Sequence, residues 1–587
     1  MCGIAGLMTA DGAPPEQDRL DRLRRALQHR GPDGDGTDVA GGTALVHTRL
    51  SIIDLETGDQ PLYLADRTAL IGNGEIYNYR ELRAVSPDTP YVTQSDCESP
   101  LHLYRQHGVE FANHLRGMYA LAIHDRRSGR LLLTRDPFGI KPLYYVEFPG
   151  GFAFASELQA LIAAGLGAPV LNHAARDELL QLQFTTGRET AFEGLYRVLP
   201  GETLVVSAGR IVERHHRPAL PDERPRDWRE EEALAALERE LLESVELHQR
   251  SDVPYGMFLS GGVDSSALLA AMARLNSRPV LAFTAGFDVS DAHDEREQAR
   301  AVAKASGAEH VEVEFGEADF WSTLPSVAAA LDDPTADYAV LPTFKLAETA
   351  ARQVKVVLSG EGGDELFAGY GRYRSALRPW WKGGRRQLRG RGRFDRLGVL
   401  RSDSLAWRDG IMAAESLQAT AGLTRLQTVQ AIDCQDWLPN DLLIKLDRCL
   451  MAHGVEGRTP FLDPGMADFA LRLPDDLKIR RGRGKYLLRR WLQENLPEAR
   501  PFERKRGFTV PVGAWILARG RELGPLVARQ PGIAEVAYPE RVIDLFRRGG
   551  KREGLAAWTL LFYALWHQRH ILEKPAEGDV FAALAAD

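Results

Sequence analysis

The sequence predicts two folded parts: a layered α+β domain, then an α/β domain on a doubly wound parallel sheet that ends in a helical C-terminal part. Three observations lead there. Short strand-like runs, broken by turns and flanked by helical stretches, fill roughly the first 200 residues. From about residue 250 apolar runs and helical stretches alternate, the order of βαβ units. Between them, residues 216–230 are rich in proline and charge, as in Arg217-Pro218, Leu220-Pro221-Asp222 and Arg224-Pro225-Arg226-Asp227, the composition of a linker. With 587 residues the chain is also too long for one core. The domains are placed at 2–215 and 231–587.

Composition narrows the class of function. Hydrophobic residues make up 44% and charged residues 26%, a globular balance. A formal net charge of −8 argues against nucleic acid as the main partner. No apolar run is long enough to span a membrane, and the N-terminus lacks the basic and apolar regions of a secretory signal. The four cysteines, Cys2, Cys97, Cys434 and Cys449, are scattered without metal-ligand spacing, which fits free thiols in a reducing cytoplasm.

In the first domain, Gly3-Ile4-Ala5-Gly6-Leu7 reads as a buried strand that fixes the chain's start inside the fold. Removal of Met1 would leave Cys2 with a thiol and a free α-amine, and an amine beside a nucleophile can serve as its base. Residues 16–30 read as an amphipathic helix with Leu20, Leu23 and Leu27 on one face. Strands are expected at 43–47, 69–71, 118–123, 130–134, 143–148, 151–155 and 202–206. Three polar clusters interrupt them: Arg49-Leu50-Ser51-Ile52-Ile53-Asp54, Asn73-Gly74-Glu75-Ile76-Tyr77-Asn78 and Ser95-Asp96-Cys97-Glu98. Each alone reads as a turn or cap. Together they supply what an amino-acid amide needs: a guanidinium for its α-carboxylate, carboxylates for its ammonium, and an Asn side chain with the next N–H as an oxyanion hole.

In the second domain a helix is expected at 231–249, strands at 253–259, 280–283, 309–314 and 354–358, and helices at 267–275, 294–306, 321–331 and 342–352. The loop Leu259-Ser260-Gly261-Gly262-Val263-Asp264-Ser265-Ser266 joins a strand to a helix start and forms an anion site. It has no Walker lysine. Asp264 stands there instead, and a carboxylate beside phosphate implies bridging Mg²⁺. A second loop, Ser359-Gly360-Glu361-Gly362-Gly363-Asp364-Glu365, also follows an apolar strand, so Asp264 and Asp364 can share that metal on a pyrophosphate. Residues 442–451 read as an apolar helix carrying Lys445, Asp447 and Arg448. Lys485 starts a helix against its dipole, which points to a bound anion. The Arg- and Gly-rich stretch 382–396 reads as a solvated insertion, and 505–508 as a structured loop.

These motifs carry a resemblance. Met1-Cys2-Gly3-Ile4, 29–33, 49–54, 73–77, 95–96 and 135–144 resemble the class II glutamine amidotransferase domain, an N-terminal-nucleophile αββα sandwich. Segments 260–266, 359–370, 445–448, 458–463, 484–490 and 505–508 resemble the ATP-pyrophosphatase domain of glutamine-hydrolysing asparagine synthetases. The similarity covers nearly the whole chain. It implies that Cys2 attacks the glutamine amide and releases ammonia, with Asn73 and Gly74 at the oxyanion, Arg49 on the substrate carboxylate, Glu75 and Asp96 on its ammonium, and Ile53 lining the pocket. It implies ATP cleaved between the α and β phosphates to give β-aspartyl-AMP, which ammonia attacks. Ser260, Gly261, Gly262, Asp264, Ser265 and Ser266 would hold pyrophosphate; Asp264 and Asp364 would bind Mg²⁺; Leu259, Ala285, Ser359 and Gly360 would contact the nucleotide. Glu361 would assist the attack and Lys485 stabilise phosphate charge. A homodimer and an internal ammonia channel are further implications of the resemblance. One segment departs: 331–342 lacks the arginine that touches the acceptor in better-known members, so an amidotransferase acting on another carboxylate, a sugar acid or natural-product precursor, stays open. A β-lactam-forming relative would need no glutaminase, and a non-catalytic binding relative would not need Cys2, Asp264 and Asp364.

Overall fold

The computed structural model describes residues 2–586 except 222, 288–295, 379–380, 382–387, 403–405, 419–421 and 504–509. Met1, the start of the expected helix 294–306, the first part of 382–396 and the loop 505–508 therefore lie outside the described residues.

Twelve strands make two antiparallel six-stranded sheets in the first part of the chain. They are β1 (Gly3–Thr9), β2 (Gly34–Ala40), β3 (Thr43–Arg49), β4 (Leu62–Tyr63), β5 (Ala69–Ile76), β6 (Gly117–Asp125), β7 (Arg130–Arg135), β8 (Tyr144–Phe148), β9 (Gly151–Ala155), β10 (Tyr196–Arg197), β11 (Glu202–Ser207) and β12 (Arg210–His216). The strand orders are β10-β8-β9-β1-β3-β2 and β12-β11-β7-β6-β5-β4. Alternation along β1 explains the stacking. Ile4 and Met8 face the layer between the sheets with Leu45, Ile71, Leu133 and Phe154. Ala5 and Leu7 face the other way, onto Leu20, Leu23 and Leu27 of the helix Gln17–Leu27. The second sheet's outer face packs on Leu101 and Leu103 of the helix Ser99–His107. Helix, sheet, sheet and helix follow one another, as the αββα expectation holds. Four strands escaped the sequence reading, β2, β4, β10 and β12, and all four are edge strands. β4 and β10 are two residues each, and β2 and β12 have alternating exposure and polar sequences, so no apolar run marks them.

The linker falls at 217–229, because β12 runs through His216. Beyond it the helix Glu230–His248 leads into β13 (Tyr255–Phe258), β14 (Leu281–Phe287), β15 (Glu309–Phe315), β16 (Val356–Leu358) and β17 (Glu456–Arg458). All pair parallel, in the order β15-β14-β13-β16-β17. Helices cover both faces. Glu230–His248, Val263–Leu275, Arg296–Ala305 and Tyr486–Asn495 share one core, and Glu317–Ala330, Val340–Ala350 and Ile444–Met451 share the other. The chain ends in helices, including Lys551–His570, whose Trp558 and Trp566 are buried. The strand order reverses between β13 and β16, and such a reversal opens a crevice at the carboxyl ends of the strands. No helix among the described residues is long and apolar enough to cross a membrane.

Candidate active sites in the two domains

The first site forms where the two antiparallel sheets meet. Gly3 of β1 pairs with Thr48 of β3, which sets Cys2 beside Arg49. The main-chain nitrogen of Cys2 donates to Oδ1 of Asn73, in β5 of the opposite sheet, at 3.2 Å. The other end of that amide, Asn73 Nδ2, is buried without a hydrogen-bond partner among the described residues. A bare buried donor beside a thiol suits an oxyanion. Gly74 has φ 153°, and a Cβ there would come within 2.0 Å of the Met118 carbonyl oxygen, so β5 approaches β6 too closely for any other residue. Glu75 follows, buried, on the Asn73 side of the strand. Asp96 Oδ2 accepts the Ile76 N–H at 2.7 Å. Arg49 bonds Asp59 at 2.6 Å and the Ile53 carbonyl at 3.4 Å, which ties it to the loop that carries Ile53.

Burial dominates the electrostatics of this pocket. It pushes the Cys2 thiol above its ordinary range, against the chain's positive N-terminus and a backbone bond at Leu50. It raises Asp96 to about 6 and drives Glu75 well up, the latter opposed chiefly by Arg458. The seven residues expected here, Cys2, Arg49, Ile53, Asn73, Gly74, Glu75 and Asp96, occupy one region of the fold.

The second site lies in the crevice. The loop after β13 turns through Gly261 at φ 68° and caps the helix Val263–Leu275 with Gly262. Ser265 Oγ receives the Ser260 N–H at 3.2 Å and meets Ser260 Oγ at 3.1 Å, so the serines brace the loop. Leu259 N bonds the Phe283 carbonyl at 2.8 Å, and Ala285 lies two residues further along β14. The loop after β16 closes on it. A Cβ at Gly363 would stand 2.6 Å from Asp264 Oδ1, and one at Gly360 would stand 3.1 Å from Asp264 Cβ. Asp264 and Asp364 converge on Lys485. Its ammonium lies 2.5 Å from Asp364 Oδ1 and pairs with Asp264 as well. Against burial, which disfavours the charge, the two aspartates hold this lysine protonated. The anion anticipated for Lys485 is thus met, in the protein alone, by two carboxylates. Glu361 lies 3.7 Å from Lys445 Nζ, which also bonds Asp337 Oδ2 at 3.0 Å, and burial raises the Glu361 carboxyl.

The helix Ile444–Met451 connects the halves. Lys445 reaches the crevice while Asp447 takes both Nη atoms of Arg30 from the first domain, at 2.8 and 3.0 Å. Arg448 bonds Asp332 at 2.7 Å and the Ser156 carbonyl at 3.3 Å. The polar character of this helix was legible; its partners were not, because they lie from about a hundred to more than four hundred residues away.

Comparisons with known proteins show the family of the chain. The asparagine synthase family model matches residues 236–568, and the glutamine amidotransferase domain model matches residues 1–217. The putative glutamine-hydrolysing asparagine synthetase of Mycobacterium tuberculosis is 35% identical over 97% of each chain. Asparagine synthetase [glutamine-hydrolyzing] 1 of Bacillus subtilis is 31% identical over 98% of each. The chain belongs to the glutamine-hydrolysing asparagine synthetase family. It is a glutamine-hydrolysing ligase that uses ATP. A third relative, the amidase chyE of Penicillium rubens, is 33% identical over 64% of this chain and 60% of its own.

Proposed function

We propose that the protein converts aspartate to asparagine, taking nitrogen from glutamine and driving the reaction by cleavage of ATP to AMP and pyrophosphate. The observation that carries this reading is the convergence of Asp264 and Asp364, from two strand ends, on one cationic centre at the sheet's switch point. Two carboxylates are the donor set that Mg²⁺ takes when phosphates and water complete its octahedron. Asp264 and Asp364 would hold the ion, and it would neutralise charge on the leaving pyrophosphate.

In the first domain the thiol of Cys2 attacks the glutamine amide carbon. The α-amine of Cys2, free once Met1 is removed, accepts the thiol proton and passes it to the departing ammonia. Asn73 Nδ2 and the Gly74 N–H receive the oxyanion; Arg49 grips the carboxylate, Glu75 and Asp96 hold the ammonium, and Ile53 lines the pocket. Water then releases glutamate from the thioester. In the second domain Ser260–Ser266 cradle the phosphates, and Leu259, Ala285, Ser359 and Gly360 contact the nucleotide. The acceptor carboxylate displaces pyrophosphate from the α-phosphorus, and Lys485 stabilises the charge that leaves. Ammonia attacks the aspartyl adenylate, AMP departs, and Glu361 takes the surplus proton. The enzyme works as a homodimer in the cytoplasm.

A second reading keeps the mechanism and changes the acceptor. The segment 331–342 contains no arginine, and a relative bears the name of an amidase. A screen of acceptor carboxylates scored by AMP release decides between them. Aspartate giving the highest kcat/KM supports the first reading; release with another acid and none with aspartate supports the second.

A further inference from the structure

Glu75 has a partner from outside its own domain. Arg458, the last residue of β17, places Nη2 3.1 Å from Glu75 Oε1, with side chains 0% and 6% exposed. The guanidinium is fixed on its other edges. Nε donates to Glu456 Oε1 at 2.6 Å, and Nη1 donates to the carbonyls of His248 at 2.9 Å and Arg250 at 2.6 Å. The contact with Glu75 is an ion pair without hydrogen-bond alignment. Arg458 Nη2 and Glu75 Oε2 are both buried with no hydrogen-bond partner among the described residues. One oxygen of the carboxylate is therefore anchored to a cation and the other is bare.

A buried carboxylate without a cation takes up a proton, and a neutral carboxyl is a poor partner for an ammonium. The groups facing Glu75 are Arg458, Glu456, Asp96, the chain's N-terminus and Tyr77. Glu456 and Asp96 add to burial, and Arg458 is the strongest opposing charge. We propose that Arg458, supplied by the second domain, is a positioning residue of the glutaminase site: it anchors Glu75 Oε1 and leaves Oε2 turned to the α-ammonium of glutamine. The proposal rests on the reading of Glu75 as the ammonium partner. It makes the first active site incomplete without the second domain. The side chain is separable from the ATP loop, because the link from Arg458 to Ser359 is a backbone bond, Ser359 N to Arg458 O at 2.8 Å.

The test uses full-length Arg458→Met, Arg458→Lys and Glu75→Gln, and the doubles with Glu75→Gln. Glutaminase and ammonia-dependent synthesis are measured on each. Arg458→Met is expected to raise KM for glutamine roughly tenfold, the scale of one lost charge-assisted contact. Its kcat changes less, and ammonia-dependent synthesis persists. Arg458→Lys recovers part of the loss. In the Glu75→Gln background the arginine substitutions add little, the non-additivity of residues that act together. If the two losses add independently, or if glutamine KM holds while both activities fall in parallel, Arg458 is only structural and the proposal is overturned. If Arg458→Met does not fold, the Arg458→Lys cycle decides alone. An unchanged glutamine KM in Glu75→Gln by itself contradicts the underlying reading of Glu75; a raised KM there with no effect of Arg458 contradicts this proposal only.

Discussion

Lys485 starts its helix from a left-handed conformation, φ 58°, so a cation stands at the positive end of a helix dipole. Asp264 and Asp364 outweigh that penalty, and the same two carboxylates are the candidate metal ligands. Lys485→Met should remove the cation they share and lower stability by about 2 kcal/mol in metal-free buffer, the scale of a lost charged hydrogen bond. Mg²⁺ should then raise the melting temperature of the variant more than that of the parent; equal shifts would show that the metal goes elsewhere. Asp264→Asn should cut pyrophosphate release at least about 100-fold, the cost of losing one preorganised electrostatic group, while glutaminase survives. A parallel fall of both activities would mean that Asp264 shapes the fold rather than the second site.

The crevice depends on how closely two βα loops approach. Gly363 leaves no room for a Cβ beside Asp264 Oδ1, so Gly363→Ala should move Asp264 and raise KM for ATP several-fold without touching glutaminase; unaltered ATP kinetics would show that the loops yield. Much of this was legible in the sequence, since Val356–Leu358 and Tyr255–Phe258 sit inside apolar runs that end in glycine-rich turns. β17 was not legible. Glu456-Gly457-Arg458 has no apolar pattern, and it becomes a strand only through pairing of Val356, Val357 and Leu358 with residues a hundred positions on. Separation in sequence also hid Arg458 from the reading of Glu75, and Asp337 from that of Lys445. Local pattern shows which residues carry chemistry, whereas their long-range partners come from the closed sheet.

At the scale of the whole molecule the halves are joined by a buried ionic network. Arg30 bonds Glu157 at 2.8 Å and Asp447 through both Nη atoms, and Arg448 bonds Asp447 at 3.0 Å and Asp332 at 2.7 Å. Against the push of burial, Arg30 holds Asp447 below the usual carboxylate range, and His29 with Arg448 and Arg30 holds Glu157 well below it. Both folded values lie under their unfolded ones, so this stabilisation is present above roughly pH 4, the unfolded range, and is lost as pH falls through the depressed values. Acid unfolding should therefore begin with loss of contact between the halves, seen as a first calorimetric transition below about pH 4. Arg30→Met, which takes one buried guanidinium from both Asp447 and Glu157 and leaves them Arg448 and His29, should cost about 3–5 kcal/mol and bring that transition to neutral pH; a single unshifted transition would show that the network is dispensable. The network matters because the proposed reaction is divided between two sites, nitrogen made at Cys2 and consumed at Glu361. The most direct test is Cys2→Ala assayed with glutamine and, separately, with ammonium. The proposed division of labour predicts no asparagine from glutamine and near-parental synthesis from ammonium. Loss of both activities, or asparagine still formed from glutamine, would contradict it.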